Sequence, residues 1–146
     1  MVSRAVSTRG GALGGCLVLL LLAVPGAAQA QESYSRGQNV APAFEGWEQN
    51  EDGSFSFLFG YMNRNWLEEP DVPVGAENSF SPGLEDQGQP THFLPRRNRF
   101  VFRVNVPADW GDKELVWTLT TAGKTESAYA SLRPDYVVDN MIIASE

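Results

Sequence analysis

The groups in this chain that could do chemistry are one histidine, a scatter of carboxylates and four closely spaced arginines. His92, in "PTHFL", is the sole histidine. A Ser-His-Asp relay would have to use it, but no G-x-S-x-G nucleophile turn accompanies it. A zinc site needs three or four ligands, and one histidine among carboxylates falls short of that. His92 is therefore expected to line a strand edge. Glu68, Glu69 and Asp71 offer the paired acids of glycoside hydrolysis, which must stand about 5–10 Å apart. A chain this short lacks room for the cleft that reaction needs, so no catalytic residue is assigned and no enzyme is expected. "NEDG" and "LEDQG" place carboxylates and glycine on loops, which suits calcium. Neither has the D-x-D-x-D-G spacing, so no metal ligand and no cofactor is assigned.

Two sets of residues suit binding. "YMNRNW", Tyr61 to Trp66, puts Arg64 between two asparagines at the end of an aromatic strand. Asparagine tolerates left-handed backbone and caps its own turn, so a structured turn is expected, with Arg64 reaching Glu68 or Glu69. The alternative is a ligand contact made by Tyr61, Arg64, Trp66 and Trp110, since flat rings on loops stack on sugars. The plainer role for those rings is to plug the ends of the fold. The second set is Arg96, Arg97, Arg99 and Arg103. It follows directly on residues 67–95, which carry six acids and no lysine or arginine. Guanidinium forks match carboxylate and phosphate, so an anionic ligand is one reading. The preferred reading is internal: the acidic loop covers the arginine strand, with Glu68, Glu69, Asp71, Glu85 and Asp86 as partners.

Strands must position these groups. In "SFSFLFGYM", Phe55, Phe57, Phe59 and Tyr61 recur at period two opposite Ser54, Ser56 and Leu58, as a half-buried strand requires. "RFVFRVNV" sets Phe100, Phe102, Val104 and Val106 against Arg99, Val101, Arg103 and Asn105. "ELVWTLTT" and "TESAYASL", joined by "AGK", read as a hairpin, with Leu115, Trp117, Leu119, Ala128, Ala130 and Leu132 inward. Phe57, Phe59, Phe102 and Trp117 are the expected core. "PAFEGWEQ" opens the fold, with Gly46 as a bulge or a close backbone approach. Short strands are expected at "NSF" and "THFL", and "YVVDNMII" reads as a closing strand. No stretch after residue 30 keeps helical periodicity, so the fold class is all-β, an antiparallel β-sandwich of immunoglobulin or fibronectin III type. The Cys…Trp…Cys signature of true immunoglobulin domains is missing.

Residues 1–30 have the layout of a cleaved signal peptide: Arg4 and Arg9, the apolar run "CLVLLLLAV", then "PGAAQA" with small residues before the cut at Ala30. The apolar run is shorter than the roughly 20 residues of a membrane span, and none is expected in the mature form. Residues 31–39 read as a flexible lead-in and 40–146 as one β-sandwich domain, of the kind that can stand as the first module of a longer protein. Cleavage removes Cys16, the only cysteine, and leaves nine basic against eighteen acidic side chains. Such a balance argues against nucleic acid as a partner. The destination is secreted or periplasmic.

"APAFEGWEQNEDGSFSFLFGYMNRNWLEE", "GQPTHFLPRRNRFVFRVNVP" and "KELVWTLTTAGKTESAYASLRPDY" together make this chain resemble a family of uncharacterised secreted β-rich proteins from environmental bacteria. The resemblance implies an exported β-rich domain, sometimes continued by further modules, and carries no functional residue with it. The expected function is a non-catalytic exported module with a structural or interaction role, its partner an unidentified protein or glycan. The alternative is a glycan-binding module using the loop aromatics.

Overall fold

A computed structural model describes residues 10–11, 34–139 and 143–145. The signal peptide expected over residues 1–30 lies outside these, apart from Gly10 and Gly11. Six strands run through the described residues: β1 (Val40–Gln49), β2 (Phe55–Asn63), β3 (Asn78–Ser81), β4 (Arg96–Val106), β5 (Leu115–Thr121) and β6 (Lys124–Ala130). They form two antiparallel three-stranded sheets, ordered β1-β2-β4 and β3-β5-β6. The all-β expectation therefore holds, and among the described residues helix is limited to the 3-10 turn at Pro134–Tyr136 and short stretches at 34–35 and 143–144.

Both sheets feed one core, built from the alternating aromatics. Phe57, Phe59, Phe80, Leu115, Trp117 and Leu119 are almost completely buried. The Phe59 ring meets Phe80 and Trp117 edge-on at centroid separations of 5.3 and 6.1 Å, while Phe80 stacks on Trp117 at 5.9 Å. Such geometry follows the ring quadrupoles and adds to plain area burial. The Trp117 indole N–H is satisfied inside the core by Asn78 Oδ1 at 2.9 Å. Thr121 Oγ1 accepts the Val40 N–H at 2.7 Å and links the start of β1 to the other sheet.

Turn chemistry falls where the sequence put it. Gly53, at a φ of 87°, closes the "NEDG" turn through its N–H to Asn50 O. Ala122 and Gly123, at φ 48° and 71°, form the two-residue connection of the β5–β6 hairpin. Positive φ at both central residues suits the right-handed twist of the strands it joins. Gly46 is both a bulge and a close approach: the β1–β2 register shifts between Phe44 and Gly46. A Cβ there would overlap Tyr136 O.

Three expectations need correction. First, β4 is not one uninterrupted alternation. Phe59 faces Phe102 but Tyr61 faces Asn98, so Arg99, Phe100 and Val101 bulge opposite Gly60 alone. A Cβ on Gly60 would overlap Asn98 O, which is why a glycine stands there. The bulge takes Phe100 out of phase, to φ 50° and out of the core that Phe102, Val104 and Val106 join. Second, Phe102 is half-buried rather than enclosed, because β4 is an edge strand. Third, "YVVDNMII" does not continue as a strand through its described residues. After the 3-10 turn, Val137 makes an isolated parallel bridge with Trp47, and Ile143 lies in a helical turn.

Residues 64–95 contain only β3 as regular structure, and buried amide side chains stand in for a backbone ladder. Asn78 Nδ2 donates to Val72 O and Pro90 O at 2.9 and 3.0 Å. Gln89 Nε2 reaches Asn78 O and Glu85 O. Val72 and Phe93 plug this region into the core. Buried backbone groups must be paired, and here local side chains do the pairing. "THFL", expected as a strand, supplies one bridge, Asp71 with His92.

Candidate binding surface

At the end of β2 the chain turns on two asparagines that are wholly buried. Asn63 Oδ1 accepts the Asn65 N–H at 3.0 Å and its Nδ2 donation at 2.9 Å. Asn63 Nδ2 donates to Glu68 O and Phe93 O. Neither asparagine has positive φ, so side-chain amides rather than left-handed backbone end the strand. "YMNRNW" is therefore a structured turn.

This turn is clasped by the segment expected to be a flexible lead-in. Trp66 N–H donates to Tyr34 O at 3.0 Å, and the N–H groups of Leu67 and Glu68 share Ser35 O. Asn65 exchanges two hydrogen bonds with the Gln38 backbone, at 2.7 and 2.8 Å. The Gly37 N–H donates to the Glu68 carboxylate. The clasp opens a shallow cleft of about 290 Å³ lined by Tyr34, Ser35, Trp66 and Leu67. Its three large side chains stay in solvent, with Tyr34 58%, Trp66 60% and Leu67 66% exposed. Arg96 lays its guanidinium over the Trp66 ring, 4.5 Å from the centroid.

The other residues considered for ligand contact are engaged elsewhere. Tyr61 is 3% exposed, packs edge-on against Phe93, and its hydroxyl accepts the Leu94 N–H at 2.9 Å. Burial pushes its phenol pKa up, an effect that the Leu94 bond opposes and the Glu69 charge reinforces. As a ligand contact Tyr61 is ruled out by that burial. Arg64 does not reach Glu68 or Glu69: it donates to Asn39 Oδ1 at 2.6 Å and pairs with Glu126 at 3.1 Å. Trp110 sits edge-on against Phe57 near the start of β2, with its indole N–H on Lys113 O and the Lys113 ammonium 4.4 Å above the ring. Roughly 20 Å of strand separates that position from the Asn63 end, so Trp66 and Trp110 cannot form one platform.

The arginines are neutralised from an unexpected side. Arg97 and Arg99 share Glu45, the second contact at 3.8 Å, and Arg103 pairs with Glu48. Both acids belong to β1, not to the acidic loop, whose covering of the arginine strand is therefore overturned. Because β1 and β4 flank β2, residues of matching phase reach one another across it, a relation that linear charge counting misses. Arg96 differs from the rest in having an aromatic ring under it in place of an acid.

His92 joins the two limbs of the long loop. Its Nδ1 meets Asp71 Oδ1 and its Nε2 meets Glu69 Oε2, each at 2.8 Å. The hydrogen bond to Asp71, then that to Glu69, raises its pKa above the ordinary imidazole value. Backbone bonds from Val72 N to Thr91 O and Phe93 N to Pro70 O enclose the cluster. On the turns considered for calcium, the two aspartates are occupied locally. Asp52 accepts from the Ser54 hydroxyl and N–H, which hold its pKa down, and Asp86 accepts the Gly88 N–H. Among the described residues no group of three or more histidine, cysteine, aspartate or glutamate side chains is arranged to hold a metal ion. No described helix is long and apolar enough to cross a membrane.

Tyr34 is the residue that reasoning from sequence missed. A lone aromatic in "QESYSRG" carries no periodic signal, and its role follows only from the clasp with residues 65–68. Comparison of the chain with family models, with curated proteins and with solved structures gave no match in any of the three.

Proposed function

We propose that this chain is a non-catalytic, exported interaction module of the bacterial envelope or extracellular space, on an immunoglobulin- or fibronectin III-like sandwich. Its binding surface is the Tyr34–Trp66–Leu67 cleft with Arg96 at the indole. The observation that carries this reading is the exposure of two aromatic rings and a leucine on a turn held by buried amides and on the segment that clasps it. Tryptophan, tyrosine and arginine dominate the energetics of protein interfaces, and a rigid turn presents them at little entropic cost. The sandwich reading draws support from two sheets sharing one aromatic core, and export from the layout of residues 1–30.

The test is co-sedimentation of the exported, purified chain with isolated envelopes of its native host. Wild type should be retained, and Trp66→Ala should lose retention at least about tenfold, as hot-spot truncation does. Equal retention of both proteins would contradict the assignment of this surface.

A further inference from the structure

We infer that the Trp66 surface takes a protein segment carrying a carboxylate beside a large apolar side chain. The inference rests on the binding-surface reading above and adds the chemistry of the partner.

Four arginines lie on β4, and three of them are matched to glutamates of β1. Arg99 lies over the Phe100 ring but also has Glu45 within reach, whereas the Arg96 guanidinium stacks on Trp66 and makes no hydrogen bond or ion pair to any described residue. Cation–π stacking engages the face of a guanidinium and leaves its rim of N–H donors open. A carboxylate can take two of those donors at once, a geometry that lysine cannot copy.

The backbone is bent to make this display. Arg96 has a φ of 71°, a conformation rare for a residue with a side chain, and β4 begins at this residue. The Asn98 side-chain amide brackets the bend, reaching Leu94 O, Pro95 O and Arg96 O at 3.2, 3.3 and 3.2 Å. Strained residues held by their surroundings concentrate at ligand clamps. Next to the indole, the cleft offers space for one large apolar side chain between Tyr34 and Leu67. Arg36, exposed in the chain just after Ser35, adds positive charge to the same segment.

A sugar fits this surface less well. Stacking needs an open ring face, and one face of Trp66 already carries the guanidinium. Reading hydroxyls needs a fan of donors and acceptors. The polar side-chain groups lining the cleft are two hydroxyls and one indole N–H, and Ser35 O already accepts from Leu67 and Glu68.

The test is selection of random peptides displayed on phage against the immobilised full chain, followed by calorimetric titration of synthesised winners. The selected peptides should share an aspartate or glutamate next to tryptophan, phenylalanine or leucine. Arg96→Asn keeps a residue that tolerates positive φ and removes the guanidinium, so it should weaken binding about tenfold or more without changing the fold. Trp66→Ala should do the same, and raising salt should weaken wild type towards the Arg96→Asn level. An acid-free consensus, no enrichment, or unchanged affinity in Arg96→Asn would overturn the inference. Binding of uronate oligosaccharides in place of peptides would also overturn it. In each of these cases, Trp66-dependent envelope retention would leave the surface itself standing. Retention independent of Trp66 would remove both.

Discussion

Trp66 and Trp110 lie at opposite ends of β2, and each carries a cation over its ring at almost the same distance, 4.5 and 4.4 Å. The resemblance ends with what lies beneath the ring. Trp110 rests edge-on against the core ring Phe57 and returns its indole N–H to the chain at Lys113 O. Trp66 stands beside Tyr34 and Leu67, all three open to solvent, on a turn fixed by Asn63 and Asn65. A cation over a ring is therefore no mark of a site by itself. At one end it lids a ring that closes the core, and at the other it sits on a ring the core does not use.

Several substitutions would break or sharpen this contrast. The largest effect should come from the core that the Trp110 end closes. Phe59→Ala removes a ring that touches Phe80, Phe102 and Trp117, and should cost about 3–5 kcal/mol in denaturant unfolding. A loss below about 1 kcal/mol would mean that the rings do not form one packed unit. Gly46→Ala should come next, at about 1–3 kcal/mol. Its Cβ meets the fixed Tyr136 carbonyl, and the backbone φ of 131° is hostile to any side chain. If Gly46→Ala unfolds at the wild-type midpoint, the packing of the 3-10 turn on β1 is wrong. Trp110→Ala should cost about 1–2 kcal/mol, and Trp66→Ala should stay within about 0.5 kcal/mol.

The smallest effect concerns His92, which braces the loop leading away from Trp66. A folded-state pKa raised above the unfolded value means that the bracing is fully present below about pH 6.5. It is lost as pH rises through the folded value, because a neutral imidazole has one N–H for two carboxylates. NMR titration of the His92 ring should give an apparent pKa above about 6.5, lowered in Asp71→Asn. Protection of the Val72 and Phe93 amides should fall across that titration in wild type and be flat in His92→Gln. A His92 pKa at or below the ordinary value would contradict the bridge.

The fold was more legible in the sequence than the surface was. Period-two rings in β2 and β5 declared the core, because alternation has one structural meaning when one face is apolar. The "AGK" and "NEDG" turns declared themselves through glycine. The β4 bulge hid behind an unbroken apolar alternation, and only Gly60 on the neighbouring strand hinted at it. Sequence distance pairs the arginines with the acids of residues 67–95, whereas Glu45 and Glu48 reach them across β2. Tyr34 looked like part of a polar tail, since a hydrogen-bonded clasp between distant segments leaves no local pattern. Asn63, Asn65, Asn78 and Gln89 resemble loop residues by type, yet they are buried and organise the loop. Residue type alone does not distinguish a solvated amide from one that replaces a backbone ladder.

The central claim is that one end of β2 binds and the other holds the fold together, and one paired measurement tests it. Wild type, Trp66→Ala and Trp110→Ala are each assayed for envelope retention and for urea midpoint. Trp66→Ala should lose retention at an unchanged midpoint, and Trp110→Ala should keep retention at a lowered midpoint. Retention lost with Trp110→Ala and kept with Trp66→Ala would contradict the claim.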